Sequence, residues 1–292
     1  MRYAYYPGCS MAATARPYEE SVRAVAALLD MELVELDDWN CCGATAYMGV
    51  NEVLSFCLSA RNLVQAGKTG QVLLTPCNAC FTNLRKTEVY LGKFPEIKSK
   101  VDAALAEAGL RYDGGVETKH LLQALVEDVG LERIRSMTRR PLHGLRVAPY
   151  YGCQIARPFG IEDNADNPMM MDRLLESIGA TPTYYPMKTV CCGGSLMGTR
   201  EEVALRLCRN LLLCAQRDGA DCIAVACPLC QINLDAYQQS INKAYGSDFK
   251  IPIVYFTQLV GLAIGLKPEG LGLQRCIVPA TELVGKPAEV TA

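Results

Sequence analysis

Two matched sets of five cysteines divide this chain into two repeats. The first set consists of Cys9, Cys41, Cys42, Cys77 and Cys80. The second set, in the same order, consists of Cys153, Cys191, Cys192, Cys227 and Cys230. In each set 34 residues separate the adjacent pair from the closing Cys-x-x-Cys; the first cysteine precedes that pair by 31 intervening residues in one set and 37 in the other. This agreement predicts one structural unit written twice, each unit carrying a site of five thiols.

The residues around the cysteines repeat as well. Matching pairs are Arg2 and Arg146, Ala4 and Ala148, Tyr6 and Tyr150, Gly8 and Gly152, Asn83 and Asn233, and Leu84 and Leu234. A length of 292 residues also favours about two domains of ~150 residues each. We expect an N-terminal domain over residues 1–140, a C-terminal domain over 141–266 and an extended arm over 267–292.

Composition narrows the class of protein. Half of the residues are apolar, so each repeat can bury its own core, and the net charge of −2 argues against nucleic acid as a partner. The N-terminus has no apolar signal core, and the longest apolar run, residues 253–266, is too short to cross a bilayer. We therefore expect a cytoplasmic protein, in which clustered cysteines are metal ligands or redox thiols and not a disulfide framework.

Strand and helix patterns alternate along the chain. Strands are predicted at 2–6, 33–36, 72–75, 146–151, 183–186, 222–226 and 253–255. Helices are predicted from Pro17 onward and at 51–65, 79–90, 95–108, 119–129, 169–178, 199–217, 228–245 and 257–264, with capping boxes or caps at 167–168 and 199–202. This order predicts an α/β fold of two tandem domains, each a small parallel sheet flanked by helices.

Four of the cysteines follow predicted strands directly. Cys9, Cys77, Cys153 and Cys227 each come just after a strand, and ligand sites in parallel sheets lie at the carboxyl ends of strands. Spacing and topology therefore agree on the position of the two sites.

Five thiolates at one site narrow the chemistry without settling it. A Cys-x-x-Cys at the start of a helix brings two thiolates together, and the glycines after each adjacent pair, Gly43, Gly193 and Gly194, permit a tight turn and close approach to an inorganic core. Iron–sulfur binding is favoured over two structural zinc sites or a dithiol relay, because zinc needs four ligands and the chain has only two histidines. The fifth thiol is either a spare beside a cubane or a ligand of a cluster opened from cubane geometry.

The remaining candidates have weaker patterns. Five further cysteines are expected to be buried small hydrophobic residues, although the last one lies in the tail and can be exposed: Cys57, Cys208, Cys214, Cys222 and Cys276. Cations close in sequence to the sites are candidate anchors for an anionic thiol: Arg16, Arg157, Lys188 and Arg200. The basic stretch 133–146 is either a solvated linker or a docking face for an acidic partner.

The doubled pattern Cys…Cys-Cys-Gly…Cys-x-x-Cys resembles that of the CCG cysteine-rich domain family, and within it the B subunits of heterodisulfide reductases. The motifs that carry this resemblance are Tyr6-Pro7-Gly8-Cys9, Cys191-Cys192-Gly193-Gly194, Ala226-Cys227-Pro228-Leu229-Cys230-Gln231 and Tyr255-Phe256-Thr257-Gln258-Leu259. The resemblance covers residues 1–266.

The resemblance implies an oxidoreductase subunit with two non-cubane 4Fe-4S clusters, one on each set of five cysteines, and no catalytic residue beyond these ligands. It implies reductive cleavage of a disulfide held between the clusters, such as that of coenzymes M and B. It also implies a ferredoxin-like C subunit and a flavin-containing A subunit as partners. The alternative is an electron-transfer subunit of a succinate, fumarate or 2-hydroxy-acid oxidoreductase that passes electrons to a quinone or a partner subunit.

Overall fold

The computed structural model describes residues 1–44, 46–162, 164–280 and Leu283. Within these residues the strands are β1 (Arg2–Tyr5), β2 (Glu32–Glu35), β3 (Leu73–Thr75), β4 (Thr118–His120), β5 (Arg146–Tyr150), β6 (Thr181–Pro182), β7 (Cys222–Val225) and β8 (Ile253–Tyr255). The helices are α1 (Arg16–Leu28), α2 (Ala46–Val50), α3 (Glu52–Gly67), α4 (Asn78–Lys93), α5 (Pro95–Ala106), α6 (Leu121–Gln123), α7 (Leu131–Met137), α8 (Met170–Ser177), α9 (Glu201–Arg217), α10 (Pro228–Asp235), α11 (Gln238–Tyr245) and α12 (Phe256–Ala263). A π-helical turn over Ala124–Gly130 joins α6 to α7.

The strands form two four-stranded sheets of the same topology. Their orders are β2-β1-β3-β4 and β6-β5-β7-β8, and every pairing in both sheets is parallel. The central strands β3 and β7 are buried along their whole lengths, as expected when helices cover both faces of a parallel sheet. The predicted α/β fold with a duplicated domain is therefore confirmed.

The prediction of one helix over residues 119–129 is wrong at its start. Thr118 and His120 are buried and belong to β4, which pairs with β3 at the edge of the first sheet. The helix begins only at Leu121, because the His120 ring caps it by accepting a hydrogen bond from Leu122 N at 3.1 Å. Three residues are too few for a strand pattern to show against the leucines that follow.

Helix ends account for the other differences. No side chain of Arg200 caps α9, so the predicted capping box at 199–202 does not form. The start of α8 is capped by Glu162, whose carboxylate accepts from Met169 N and Met170 N at 2.8 Å each. The sixth strand lies at 181–182 instead of 183–186, and the helix predicted over 228–245 is divided into α10 and α11.

The two repeats share one apolar core. Helix α1 of the first repeat packs against α12 of the second, and the larger core cluster contains side chains from both repeats. The hydroxyls of Ser21 and Thr257 meet there at 2.6 Å. We call this interface the seam.

The described part of the arm lies against the second repeat. Leu271 is buried, and its carbonyl accepts a hydrogen bond from Gln258 at 2.9 Å. The Asp235 carboxylate accepts from Ile277 N and Val278 N, both at 2.9 Å. Residues 281–282 and 284–292 of the predicted arm lie outside the described residues, and the proposed domain limits stay a prediction.

Candidate metal centres

The fold brings each set of five cysteines to the carboxyl edge of its sheet. Cys9 and Cys77 follow the neighbouring central strands β1 and β3, and Cys77 occupies the N-cap position of α4. The second repeat has the same arrangement, with Cys153 after β5 and Cys227 at the N-cap of α10. All fifteen cysteines of the chain are free thiols.

The thiols of each set contact one another. The Sγ atoms of Cys42 and Cys80 are 3.5 Å apart, as are those of Cys192 and Cys230. In each set the CxxC pair and the second cysteine of the adjacent pair are buried, whereas the remaining two are exposed or half-buried. Each set therefore forms a compact group of thiols that is open to solvent on one side.

One thiol in each set acts as the acceptor for two others. Hydrogen bonds from Cys42 and then Cys9 lower the pKa of Cys41 to about 2. Hydrogen bonds from Cys153 and then Cys192 lower the pKa of Cys191 to about 2. The adjacent pair thus places a thiolate at the open edge of each site, which is the protonation state that binds metal.

A tyrosine from the central strand anchors the loop before each adjacent pair. Tyr6 donates its hydroxyl to Asn40 O and Tyr150 donates to Val190 O, both at 2.7 Å. The accepting residues directly precede Cys41 and Cys191. Because these tyrosines occupy equivalent positions, the duplication extends to the contacts that hold the sites.

The turn after each adjacent pair requires glycine. Gly43 and Gly193 have φ of +77° and +94°, a region that favours glycine. A Cβ on Gly193 would lie 3.0 Å from Cα and Cβ of Ala204 in α9. The close approach of this turn to α9, inferred from the sequence, is therefore present.

Side chains of the following helices hold the turn from the other side. The carbonyl of Cys42 accepts from Ser59 Oγ at 2.7 Å, and the carbonyl of Cys192 accepts from Cys208 Sγ at 3.2 Å. Cys208 was predicted to be only a small buried hydrophobic residue; it is buried, and it also donates this hydrogen bond. Asn233 donates to Gly194 O at 2.9 Å and to Cys192 Sγ at 3.7 Å.

The two sites meet at the seam. The side chains of Cys77 and Cys227 form a hydrogen bond, so the two sets contact each other directly. His120, which is fully buried, binds Pro76 O through Nε2 at 2.9 Å and also hydrogen-bonds the carbonyl of Ala226. Since these carbonyls immediately precede Cys77 and Cys227, one ring fixes both cysteines. Sequence reasoning found no partner for this histidine, because its partners are backbone atoms far along the chain.

A cavity of about 250 Å³ opens at the second site. Its lining contains the second set of cysteines together with Gly193, Gly194, Ser195, Gln154, Leu229 and Asn78. The segment 193–195 was expected to border a cleft by backbone approach. Asn78 belongs to the first repeat and reaches this cavity across the seam.

The donor set fits an iron–sulfur group. In the described part of the chain, no group of three or more His, Cys, Asp or Glu side chains is arranged to hold a single metal ion. Thiolates are the ligands that hold iron–sulfur clusters, and each site offers five that lie side by side. The assignment therefore rests on the convergence of thiols and not on a cage formed in advance for one ion.

Two of the predicted cationic anchors have other partners. Lys188 is buried and forms an ion pair with Asp172 at 2.8 Å. Arg157 forms an ion pair with Asp166. In the basic stretch, Arg133 pairs with Asp30. These charges are satisfied within the chain, which weakens the case for them as anchors or as a docking face.

The cysteine-rich domain family named CCG matches this chain twice, over residues 3–85 and 147–235. The chain belongs to this family. Each match begins at or next to the central strand of one repeat and ends shortly after its Cys-x-x-Cys helix has begun, so the two CCG repeats coincide with the two sheets described above.

Full-length relatives of this CCG protein fall into two groups. The 8-methylmenaquinol:fumarate reductase membrane anchor subunit of Wolinella succinogenes is 31% identical over 284 residues, which is 96% of this chain and 98% of the relative. The B subunit of the ferredoxin/F420H2-dependent CoB-CoM heterodisulfide reductase of Methanosarcina acetivorans is 30% identical over 292 residues, 98% of this chain and 97% of the relative. None of the helices in the described residues is long and apolar enough to cross a membrane.

A solved structure has the same fold. A hypothetical protein from Helicobacter pylori superposes on 96% of this chain with a TM-score of 0.77 and 16% identity. The chain spans about half of that protein, 52% of its length. At this identity the likeness supports the CCG fold alone.

Proposed function

We propose that this protein is the iron–sulfur subunit of a heterodisulfide reductase-like complex and reduces a disulfide at the seam between its two CCG repeats. The observation that carries the proposal is the contact between Cys77 and Cys227, which brings the two five-thiol sites against each other. A ligand bound at the edge of both sites can thus meet both redox centres at once.

In this proposal Cys9, Cys41, Cys42, Cys77 and Cys80 hold one 4Fe-4S cluster of non-cubane type. The second cluster is held by Cys153, Cys191, Cys192, Cys227 and Cys230. When bound, two such clusters supply two single electrons, the number that cleavage of one disulfide to two thiols consumes along with two protons. Five ligands exceed the four of an ordinary cubane, which is why the proposal takes the non-cubane type.

The chain's own residues determine the geometry. His120 and the tyrosine pair Tyr6 and Tyr150 hold the cysteines in place, while the open sides at Cys9 and Cys191 admit a ligand from solvent. The Gly193-Gly194 turn permits close approach to the second site. We expect the ligand's first sulfur to bind there.

Electrons must reach the sites from another protein. The proposal assigns this role to a flavin-containing subunit and a ferredoxin-like subunit, as in the complex that the name of the Methanosarcina relative describes. A reducing compartment, the cytoplasm, is part of the proposal because all fifteen cysteines must stay as thiols.

A second candidate function follows from the Wolinella relative. Its 31% identity over nearly both full lengths favours an electron-transfer subunit of a fumarate reductase-type complex, which carries no disulfide at the seam. The two functions share the clusters and differ only in whether a thiol binds them.

One titration separates the two functions. The anaerobically purified, oxidised protein is titrated with a thiol while its paramagnetic and visible spectra are recorded. The proposed function predicts a new paramagnetic signal that saturates with thiol. Spectra that no thiol perturbs would overturn it in favour of electron transfer alone.

A further inference from the structure

Asn78 is a residue of the first repeat that reaches the site of the second. It is the first residue of α4, directly after Cys77, and its side chain is only 1% exposed. Its Nδ2 donates to Tyr151 O at 2.6 Å, which ties it to the strand that leads to Cys153. Its side chain lines the cavity of about 250 Å³ at the second site.

The other end of this amide has no partner. Asn78 Oδ1 is buried and makes no hydrogen bond with any residue that the structure describes. Since Nδ2 is engaged by Tyr151, the orientation of the amide is fixed, and the free end is an acceptor. A buried acceptor without a partner is unfavourable in the free protein, so a ligand that supplies a donor gains by pairing with it.

The surroundings of Asn78 also favour a donor. The cavity lining consists largely of cysteine side chains, which bind metal as negatively charged thiolates. An acceptor beside thiolates is a poor site for a further anion. It is a suitable site for an N–H or O–H group.

Only one of the two sites receives this acceptor. The position equivalent to Asn78 in the second repeat is Pro228, which has neither a side-chain acceptor nor a backbone N–H. The repeats therefore differ at the residue that crosses the seam, and the two ends of a bound disulfide meet different chemistry.

We propose that Asn78 determines which thiol binds at the second cysteine site, by accepting a hydrogen bond from an N–H or O–H group a few atoms away from the ligand's sulfur. The inference rests on the proposed function and names its substrate class. That class is a thiol with an amide, amine or hydroxyl donor near the sulfur, such as a cysteinyl or other amide-bearing thiol. A thiol whose other polar atoms are all acceptors is selected against.

Two small thiols that differ in one group test the inference. N-acetylcysteamine carries an amide N–H, and 2-mercaptoethyl acetate has an ester oxygen in its place. Each is titrated against the oxidised holoprotein, and the half-saturating concentration is read from the change in the iron–sulfur spectrum. We expect the amide to bind about tenfold more tightly than the ester.

The outcomes separate the inference from the function beneath it. Equal affinity for the two thiols overturns the role of Asn78 and leaves thiol binding intact. If neither thiol changes the spectrum, the disulfide function fails, and the selection by Asn78 fails with it.

A pair of variants assigns the preference to the residue. Asn78→Leu should weaken the amide thiol by about tenfold and leave the ester thiol unchanged. Thr82→Val is the matched control, because it removes another hydrogen bond across the seam, from Thr82 Oγ1 to Gln154 O, and should keep the preference. Equal loss of both thiols in Asn78→Leu would reduce Asn78 to a structural residue. If that variant does not fold, the comparison of the two thiols on the unaltered protein still decides.

Discussion

The rings of Tyr18 and Tyr255 lie parallel across the seam, with centroids 4.0 Å apart and planes 6° from parallel. Tyr18 belongs to α1 of the first CCG repeat and Tyr255 ends β8 of the second, and both are fully buried. The Tyr18 hydroxyl donates to Pro76 O at 3.1 Å, next to Cys77. The stack thus links the packing of the two repeats to the position of a cysteine where the sites meet.

Replacing Tyr18 by leucine should destabilise the protein. The change removes the stack, leaves space in the core at the seam and removes one hydrogen bond to Pro76 O. We expect a loss of about 2–4 kcal/mol in the free energy of unfolding, measured with urea. Tyr18→Phe keeps the stack and should lose only about 1 kcal/mol. A leucine variant as stable as the unaltered protein would show that the stack does not hold the repeats together.

Removing the His120 ring should affect both sites together. His120→Leu leaves the carbonyls of Pro76 and Ala226 without this buried donor, which we expect to destabilise the protein by about 2–4 kcal/mol. Iron content should fall at both sites, because the carbonyls precede Cys77 and Cys227. Loss of iron from one site alone would contradict the shared role.

His120 also makes stability depend on pH. Burial lowers its pKa to about 3, so the folded protein keeps the ring neutral, while in the unfolded chain it binds a proton near pH 6.5. Its contribution is therefore fully present above pH 6.5 and is lost as the pH falls toward 3, at about 1.4 kcal/mol per pH unit. Urea unfolding at several pH values measures this slope, and His120→Leu should have a shallower one. Equal slopes in the two proteins would refute this assignment.

The turn after the second adjacent pair can be tested with two glycine variants. Gly193→Ala places a Cβ against Ala204 at a φ of +94° and should cost about 1–3 kcal/mol and reduce cluster binding at the second site. Gly198→Ala is the control, because a Cβ there meets no atom within 4 Å. Visible absorption and urea unfolding measure both effects. Similar losses in both variants would mean that the turn at Gly193 is not special.

The sequence predicted the features that repeat. Cysteine spacing located both sites, and short apolar runs located β3, β7 and β8 within one residue at each end. These features are local, since burial of a central parallel strand shows as a continuous apolar run. The edge strand β4 and the helix caps were missed because they depend on pairing and contacts made only in the folded chain.

Contacts across the seam had no sequence signal. The fixed acceptor of Asn78, the two carbonyl partners of His120 and the hydrogen bond between Cys77 and Cys227 all join residues far apart in the chain. Spacing within one repeat predicts what converges in that repeat. It says nothing about how one repeat meets the other, and that arrangement is what distinguishes the two sites.

Metal analysis of the anaerobically purified protein tests the central claim, that each CCG repeat holds one iron–sulfur cluster, most directly. We expect about eight irons per chain, and about four in each of Cys42→Ser and Cys192→Ser. Cys57→Ser, outside both sets, is the control and should keep all of the iron. A colourless protein with about two zinc ions per chain, or a Cys192→Ser variant with undiminished iron, would contradict the account.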